Sequence, residues 1–498
     1  MAQSLSAPPD GSLTGPITGT LRALGQPLPV LMAFMVAVFL LGGGSRDDIL
    51  SLAILRPLSV LVLGYAIIIA NPAHLRINRA LLGFAGAWTA LVALHLVPLP
   101  PALWQALPGR ELVIEIDRVT GFADQWRPLS LVPHRTLNSL LSLTVPLAAL
   151  LLALQLSRRE LVWSVIALGG LGLLSAFVGL LQVSGTGEQL YFYRITNADS
   201  AVGLFANRNH HAIMLSLTIA MIGGVPALLR SKLGPKRMAG RERAITLASG
   251  GLALALLPFL IVTQSRAGLI LGALALVVAF WLLHRDATRN TGGNAPAKGA
   301  VLALAGMVGA GVLAALTYLF TAGNALDRLT RSGSADDGLR LAIWGPTLEQ
   351  ALAHFPAGSG FGTFVEVFQT AEPASTLGPS YINRAHNDWL EIVLTGGAPA
   401  LVILAVALVW LVMRASEAML RASGGDLVLR QLGCAALALC ALGSLYDYPL
   451  RTPSLAIAFI LALVWIAGRD PKASPENTEK SARTNGSRNQ DRHHDAHP

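Results

Sequence analysis

The chain has 498 residues, of which 53% are hydrophobic and only 13% are charged, and its formal net charge is +9. A soluble domain carries about 25% charged residues, so the composition excludes an ordinary soluble protein. Apolar runs of about 20 residues recur along the chain, and that is the length a helix needs to cross a bilayer. The composition therefore predicts an all-α polytopic membrane protein.

Run length and apolar periodicity predict about twelve transmembrane spans. In chain order they lie near residues 28–43, 49–70, 80–97, 136–156, 160–182, 209–229, 245–263, 267–284, 299–321, 390–413, 430–446 and 454–468. Residues 1–27 are rich in Ser, Pro, Gly and Thr and lack the basic start of a signal peptide, which predicts a disordered cytoplasmic tail. Residues 469–498 are polar and low in complexity and predict a second disordered tail. The predicted membrane domain is therefore 28–468.

Lysine and arginine concentrate in alternate connections between the predicted spans. The largest group lies between spans six and seven and comprises Arg230, Lys232, Lys236, Arg237, Arg241 and Arg243. Because cytoplasmic loops carry the excess of cationic residues, this alternation predicts that both termini are cytoplasmic. The net charge of +9 then reflects the excess of cationic residues in cytoplasmic loops, which also attracts anionic membrane lipids. No nucleic-acid partner is predicted.

Three long connections are predicted to face outward, and they hold most of the polar residues. The first, 98–135, alternates apolar and charged residues, which predicts short helices lying in the membrane interface. The second is 183–208. The third and longest, 323–389, carries apolar residues at helical spacing around Trp344, so part of it should pack back onto the membrane domain. It then enters a glycine-rich segment at 358–362 that predicts a flexible turn.

Three cationic or titratable residues fall at the same predicted membrane edge: Arg266, Arg340 and His386. Arg266 lies in the shortest outward connection, Arg340 in the longest one, and His386 directly before span ten. Each residue has a structural alternative. For Arg266 it is a snorkelling anchor at a helix end, for Arg340 an ion pair with a neighbouring aspartate, and for His386 a position at the entry of a helix. Ionisable groups at membrane depth are nevertheless functional by default. Together they predict a site for an anionic, diphosphate-like ligand with a proton transfer.

A second group stands at the outward start of span six, in Asn207, Arg208 and His210. The dipole at a helix N-terminus favours an anion, so these donors are predicted to contact the substrate. The His210-His211 pair raises the alternative of a metal site. Neighbouring helical side chains point about 100° apart, and no carboxylate or cysteine has matching spacing, so no metal is predicted.

Further substrate contacts are predicted beside His386 and in span two. Arg384 and Asn387 flank the histidine, with helix capping as the alternative for Asn387. Arg56 is the one full charge well inside a predicted span, and it must face protein, water or a lipid headgroup. In the last outward turn, Asp447 and Arg451 are interpreted either as a structural ion pair or as residues lining an acceptor cleft.

The order of these motifs resembles the O-antigen ligase family of bacterial surface-polysaccharide enzymes. The resemblance covers about residues 126–468. It is carried by Gly179-Leu-Leu-Gln182, Gly203-Leu-Phe-Ala-Asn-Arg-Asn-His210, Ser265-Arg266-Ala267, Arg340 with Trp344, Gly358-Ser-Gly-Phe-Gly362 and His386-Asn-Asp-Trp-Leu-Glu391.

The resemblance implies a GT-C-like membrane glycosyltransferase of the bacterial inner membrane, with the loop 323–389 in the periplasm. The implied donor is a glycan on undecaprenyl diphosphate, and the implied acceptor is lipid A-core or a growing polysaccharide. Arg266 and Arg340 would hold the diphosphate, and His386 would take the proton from the acceptor hydroxyl, with inversion and with neither metal nor cofactor.

Other functions remain open at this point. A polymerase of O-antigen or exopolysaccharide would carry the same donor motifs, and a protein acceptor is a further alternative. A polysaccharide flippase would also have about twelve spans, but it should show internal repeats or charges near the midplane. The charges here gather at one edge instead.

Overall fold

The computed structural model describes residues 26–184, 190–198, 200–238, 240–290, 335–378 and 381–468. These residues are almost entirely helical. The helices are α1 (Pro27–Leu41), α2 (Leu52–Ile68), α3 (Pro72–Ile77), α4 (Arg79–Leu94), α5 (Pro101–Trp104), α6 (Glu111–Thr120), α7 (Pro133–Ser142), α8 (Thr144–Leu154), α9 (Arg158–Val183), α10 (Arg208–Leu233), α11 (Pro235–Met238), α12 (Glu242–Ala255), α13 (Leu257–Val262), α14 (Arg266–Asn290), α15 (Ala335–Ala353), α16 (Phe364–Gln369), α17 (Asp388–Arg421), α18 (Gly424–Gly443) and α19 (Pro453–Ala467). Two short strands, β1 (Pro98–Leu99) and β2 (Arg127–Pro128), pair antiparallel.

The helices coincide with the predicted spans wherever the structure describes them. Seven helical segments are long and apolar enough to cross a membrane, namely α7 with α8, α9, α10, α12 with α13, α14, α17 and α18. Four shorter apolar helices, α1, α2, α4 and α19, stand at four more predicted spans. The ninth predicted span and both predicted tails lie outside the described residues. The protein is thus a polytopic helical membrane protein, and the count of twelve spans stays a prediction.

Helix α10 forms the centre of the bundle and is buried along most of its length. It packs most extensively against α14, and small residues allow the close approach. A Cβ added at Gly268 would lie 2.3 Å from Ala212 Cβ, and one at Gly223 would lie 2.4 Å from Ala279 Cα. Small residues at helix interfaces are how membrane helices gain contact area. This packing places the first residues of α10 and α14 side by side.

The connections gather at two ends of the bundle. At one end, Asn71 N donates to Gln155 Oε1 at 2.8 Å, and Lys232 Nζ donates to the carbonyl of Arg159 at 3.3 Å. This end holds the basic connections, in agreement with their predicted alternation. We call the opposite end the polar end, and among the described residues it holds 190–198, 200–208, 263–266, 381–387 and 444–452.

Helix α17 has a kink at Gly397, where φ is +58°. The glycine-rich segment 358–362 fits into this kink, with Ser359 N donating to Leu394 O at 2.9 Å and Gly360 N to Thr395 O at 3.0 Å. A Cβ at Gly358 would lie 2.8 Å from Gly397 N, so the approach of the two backbones requires glycine. The predicted flexible turn is therefore wrong: the segment is a packed part of the core.

The predicted packing of the long outward loop onto the membrane domain is confirmed in its described part. Helix α15 packs against α17, with Ile343 and Ala351 buried. Leu348 and Leu352, which share the predicted helical spacing, are 48% and 65% exposed and face away. In the first outward connection, the predicted short helices are α5 and α6.

Candidate functional site

Two helix starts meet at the polar end and bring Arg208 and Arg266 to the same region. Asn207 caps α10, since its Oδ1 accepts from Asn209 N at 2.8 Å. The turn before α14 ends in Ser265, whose hydroxyl donates to Asn209 Oδ1 at 2.7 Å. This hydrogen bond joins the two starts directly. Both arginines are half-buried at the first turn of their helices, where the helix dipoles add positive potential.

The centre of the site is the carboxylate of Asp447, which is almost fully buried. Its Oδ2 accepts from Asn209 Nδ2 at 2.6 Å and from Asn207 Nδ2 at 3.2 Å. Its Oδ1 accepts from the backbone N–H of Tyr448 at 3.0 Å. Three donors on one buried carboxylate favour its ionised form.

Two imidazoles approach the same oxygen of Asp447. His386 Nδ1 lies 3.5 Å from Oδ1, and His210 Nε2 lies 3.7 Å from it. Burial alone would raise the pKa of the Asp447 carboxyl, but its contacts with His210 and His386 hold that pKa well below its usual range. The carboxylate therefore faces Nδ1 of His386, and at 3.5 Å the two atoms do not form a hydrogen bond in this structure.

His386 stands in a backbone conformation that is rare for a residue with a side chain, with φ +50°. The loop is fixed on both sides of it. Trp344 Nε1 donates to Ala385 O at 3.0 Å, Ala385 N donates to Glu391 Oε2 at 3.2 Å, and Asp388 N donates to Ser444 O at 2.9 Å. Strained residues persist where their surroundings over-determine them, which occurs most often at functional sites.

The exposed part of the His386 ring faces away from Asp447. The side chain is 25% exposed, whereas its Nδ1 is buried. The exposed part of the side chain therefore does not include the atom that faces Asp447. The ring of Tyr448 lies 5.0 Å from the ring of His386, and burial raises the pKa of the Tyr448 phenol to about 12. Tyr448 therefore stays neutral near neutral pH.

Arg340 lies on the face of α15 that is turned toward the His386 loop. It precedes Trp344 by four residues, which places the two side chains on the same side of the helix. Trp344 contacts the loop at Ala385 and has its ring centre 6.4 Å from that of Tyr446. The alternative ion pair of Arg340 with Asp336 or Asp337 involves side chains outside the described part of the chain.

The charged residues around His386 form ion pairs with other partners than the sequence indicates. Arg451 Nε lies 2.9 Å from Asp388 Oδ1, and Arg451 Nη2 lies 3.5 Å from Glu391 Oε1. Of the two interpretations of Asp447 and Arg451, the structural ion pair between them is wrong, because α17 supplies Arg451 with two carboxylates. Arg384 donates to Glu391 Oε1 at 2.9 Å. These pairs anchor the start of α17 below the His386 loop.

The remaining predicted contacts have structural partners. Asn387 Oδ1 accepts from Leu390 N at 3.1 Å, which is the capping role given above as its alternative. His210 is 1% exposed and has its Nδ1 2.9 Å from Thr452 Oγ1, so it lies behind Asp447. Arg56 of α2 donates to Asn138 of α7 and thus faces protein. In the described residues, no group of three or more His, Cys, Asp or Glu could hold a metal ion.

Sequence reasoning missed the residues that connect the predicted ones. Asn209 and Ser265 lie in two of the motifs that carry the resemblance, but no contact between them is predicted from the sequence. For Asp447, the interpretation as the ion-pair partner of Arg451 is wrong. One signal was available: Asp447 is an acidic residue in a short apolar turn between two spans, where a buried carboxylate needs donors. Its partners come from two distant segments, 207–210 and 386–388, and sequence spacing alone does not reveal them.

The fold and this site define an integral membrane protein with a histidine–carboxylate pair and arginines gathered at one end of its helical bundle. A family model described as O-antigen ligase matches residues 251–405. The match confirms the predicted resemblance to this family over these residues. The match includes Arg266, Arg340 and His386, whereas Arg208, His210 and Asp447 lie outside it. No curated protein matches the chain.

This family comprises glycosyltransferase-like ligases and polymerases that act in polysaccharide biosynthesis. The match is narrower than the resemblance over about 126–468. The structure nevertheless joins the two regions physically, because Asp447 contacts Asn209 on one side and His386 on the other. The matched domain and its neighbours share one site.

Proposed function

We propose that this protein transfers a glycan from undecaprenyl diphosphate to an acceptor hydroxyl at the periplasmic face of the bacterial inner membrane. The observation that carries the proposal is the His386–Asp447 pair, with 3.5 Å between His386 Nδ1 and Asp447 Oδ1. The pair stands at the same end of the bundle as Arg208 and Arg266, and Arg340 lies on the adjoining face of α15. A base beside convergent guanidinium groups suits transfer from a diphosphate leaving group.

In this mechanism Asp447 orients His386, and His386 Nε2 accepts the proton of the acceptor hydroxyl. The acceptor oxygen forms a bond with the anomeric carbon while the bond from that carbon to the diphosphate oxygen breaks. The electron pair leaves on the diphosphate. Arg266 and Arg340, with Arg208 as a further contact, hold the phosphate oxygens through charge-assisted hydrogen bonds and stabilise the growing charge. Direct attack inverts the anomeric centre.

The distance of 3.5 Å is slightly long for a hydrogen bond, and such contacts commonly shorten when the substrate binds. His210 and Tyr448 pack around the pair as positioning residues. The amide groups of Asn207 and Asn209 hold the buried carboxylate, so its position is set before the substrate binds.

The test of this function is the surface glycan of a strain that lacks the gene, separated by size on a gel. Loss of long chains from lipid A-core with accumulation of undecaprenyl-linked polymer identifies a ligase. Loss of the polymer itself, with only single repeat units left, identifies a polymerase. Unchanged surface and lipid-linked glycans would refute both forms of the proposal.

A further inference from the structure

A polar pocket lies at the polar end, beside the His386 loop. Its lining includes Arg46, Asp47, Arg135, Ser139, Tyr381 and Asn383. We call it the Arg135 pocket. None of its lining comes from the segments that carry Arg208, Arg266 or Arg340, so it is separate from the group of arginines assigned to the diphosphate.

Three arginines and one aspartate line the Arg135 pocket, and each of the arginines is already paired with a carboxylate, Arg384 with Glu391 at 2.9 Å. Arg46 pairs with Asp48 at 3.0 Å, and Arg135 is held between Asp47 and Glu366, the latter at 2.7 Å. Each guanidinium here is matched by at least one carboxylate. A phosphate in the pocket would compete with these carboxylates for every guanidinium, which disfavours an anionic ligand.

Such a mixture of groups fits a hydroxyl-rich neutral ligand. A sugar hydroxyl can donate to a carboxylate and accept from a guanidinium at the same time. Tyr381 adds a ring that is 46% exposed, and its hydroxyl accepts from Arg46 at 2.6 Å. Aromatic rings with a polar tip commonly form part of such polar binding surfaces.

The size of the pocket limits what it can take. The cavity volume of the pocket is about 30 Å³. A single water needs about 10–15 Å³ on that measure, so the pocket has room for about two waters. Two neighbouring hydroxyls at one edge of a sugar ring occupy comparable space.

The pocket is joined to the catalytic pair through a short stretch of chain. Asn383 and Arg384 line the pocket, and His386 follows two residues later. Asn383 also interacts with Tyr448, whose ring lies 5.0 Å from that of His386. A sugar held in the Arg135 pocket would therefore have a further hydroxyl near the proposed base.

We propose that the Arg135 pocket binds two adjacent hydroxyls of the acceptor sugar and thereby presents its nucleophilic hydroxyl to His386. This inference rests on the proposed function and assigns the second reactant its own subsite. It predicts that acceptor and donor affinities respond to different residues.

The test uses the full-length protein in detergent and two pocket variants, Tyr381→Ala and Ser139→Ala. Ser142→Ala is the matched control, because Ser142 is an exposed serine of the same helix outside the pocket. The probe is the free core oligosaccharide of a strain lacking the gene, and saturation-transfer NMR measures its binding. We expect binding to weaken by about 3-fold to 10-fold in each pocket variant, the value of one hydrogen bond, and to be unchanged in Ser142→Ala.

Transfer kinetics separate the acceptor from the donor. The KM for the acceptor should rise by the same factor in the pocket variants, with the KM for the donor lipid unchanged. A rise in the donor KM alone would overturn the assignment, and so would competition by inorganic phosphate or unchanged oligosaccharide binding. His386→Ala should bind the oligosaccharide normally while losing turnover. If the wild type bound the oligosaccharide but transferred no glycan, the proposed function would fail while the binding result stood.

Discussion

At the scale of single residues, the site depends on a carboxylate that several neighbours share. Asp447 receives two amide donors and one backbone donor, and it faces two imidazoles. The arrangement gives His386 a fixed direction without exposing the carboxylate to solvent. In the proposed mechanism Asp447 orients one ring nitrogen of His386, and the other ring nitrogen accepts the proton of the acceptor hydroxyl.

Asp447→Asn should reduce the rate of transfer by about 10²-fold to 10⁴-fold, since an amide can stabilise the wrong tautomer of His386. The assay is transfer of lipid-linked glycan by the purified variant. Asp124→Asn, at an exposed position, is the control and should retain full activity. Wild-type activity in Asp447→Asn would remove Asp447 from the mechanism.

The arginines should depend on the shape of their side chains as well as on their charge. Arg340→Lys keeps the charge but cannot offer two parallel donors to phosphate oxygens. We expect a reduction in kcat/KM of about 10-fold to 100-fold, the loss of one or two charge-assisted hydrogen bonds. The measurement is a titration with donor lipid, and equal kcat/KM in Arg340→Lys and the wild type would show that Arg340 acts only as a point charge or as a helix anchor.

At the scale of elements, the site is assembled by the contact between α10 and α14. Gly268 approaches Ala212 within one turn of Ser265 and Asn209, the pair that links the two helix starts. The packing of two small residues therefore sets the distance between Arg208 and Arg266. The long apolar runs made these helices predictable, whereas their contact depends on which faces meet.

Gly268→Ala should destabilise the protein by about 1–3 kcal/mol, because the new methyl overlaps Ala212. Gly169→Ala in α9 is the matched control: no atom lies within 4 Å of its added Cβ. The control should be neutral or stabilising by up to about 1 kcal/mol through helix propensity. Thermal unfolding in detergent measures both. Equal melting temperatures for the two variants would contradict the tight α10–α14 contact.

The sequence predicted the elements better than their contacts. Apolar runs located every described span, and the motif order located Arg266, Arg340 and His386. The role of Asp447 was not predictable from spacing, because Arg451 is only four residues away and looks like its natural partner. In the structure α17 offers Arg451 the carboxylates of Asp388 and Glu391, and Asp447 is left for the histidines. Such choices between competing partners are made by tertiary packing.

At the scale of the whole molecule, the bundle has one basic end and one polar end, and the proposed chemistry lies at the polar end. The positive-inside rule assigns the basic end to the cytoplasm. A donor that enters from the outer leaflet would then meet Arg266 and His386 at the periplasmic surface. The orientation is therefore a premise of the proposed function and can be tested without an activity assay.

Two single-cysteine variants test this orientation in intact cells. Ser375→Cys lies in the outward loop near the site, and Ser423→Cys lies in the connection between α17 and α18, and both serines are exposed. Cys434 and Cys440 are replaced by alanine to give a silent background. A membrane-impermeant maleimide should label position 375 in intact cells and position 423 only after permeabilisation. The reverse pattern would place His386 in the cytoplasm and refute the proposed mechanism.

The most direct measurement is glycan transfer by the purified protein in liposomes with undecaprenyl-diphosphate-linked donor, compared between the wild type and His386→Ala. We expect the wild type to transfer the glycan and the variant to be slower by about 10²-fold to 10⁴-fold, the usual contribution of a general base, with an unchanged KM for the donor. Transfer by the folded variant at the wild-type rate would contradict the account of His386 as the base.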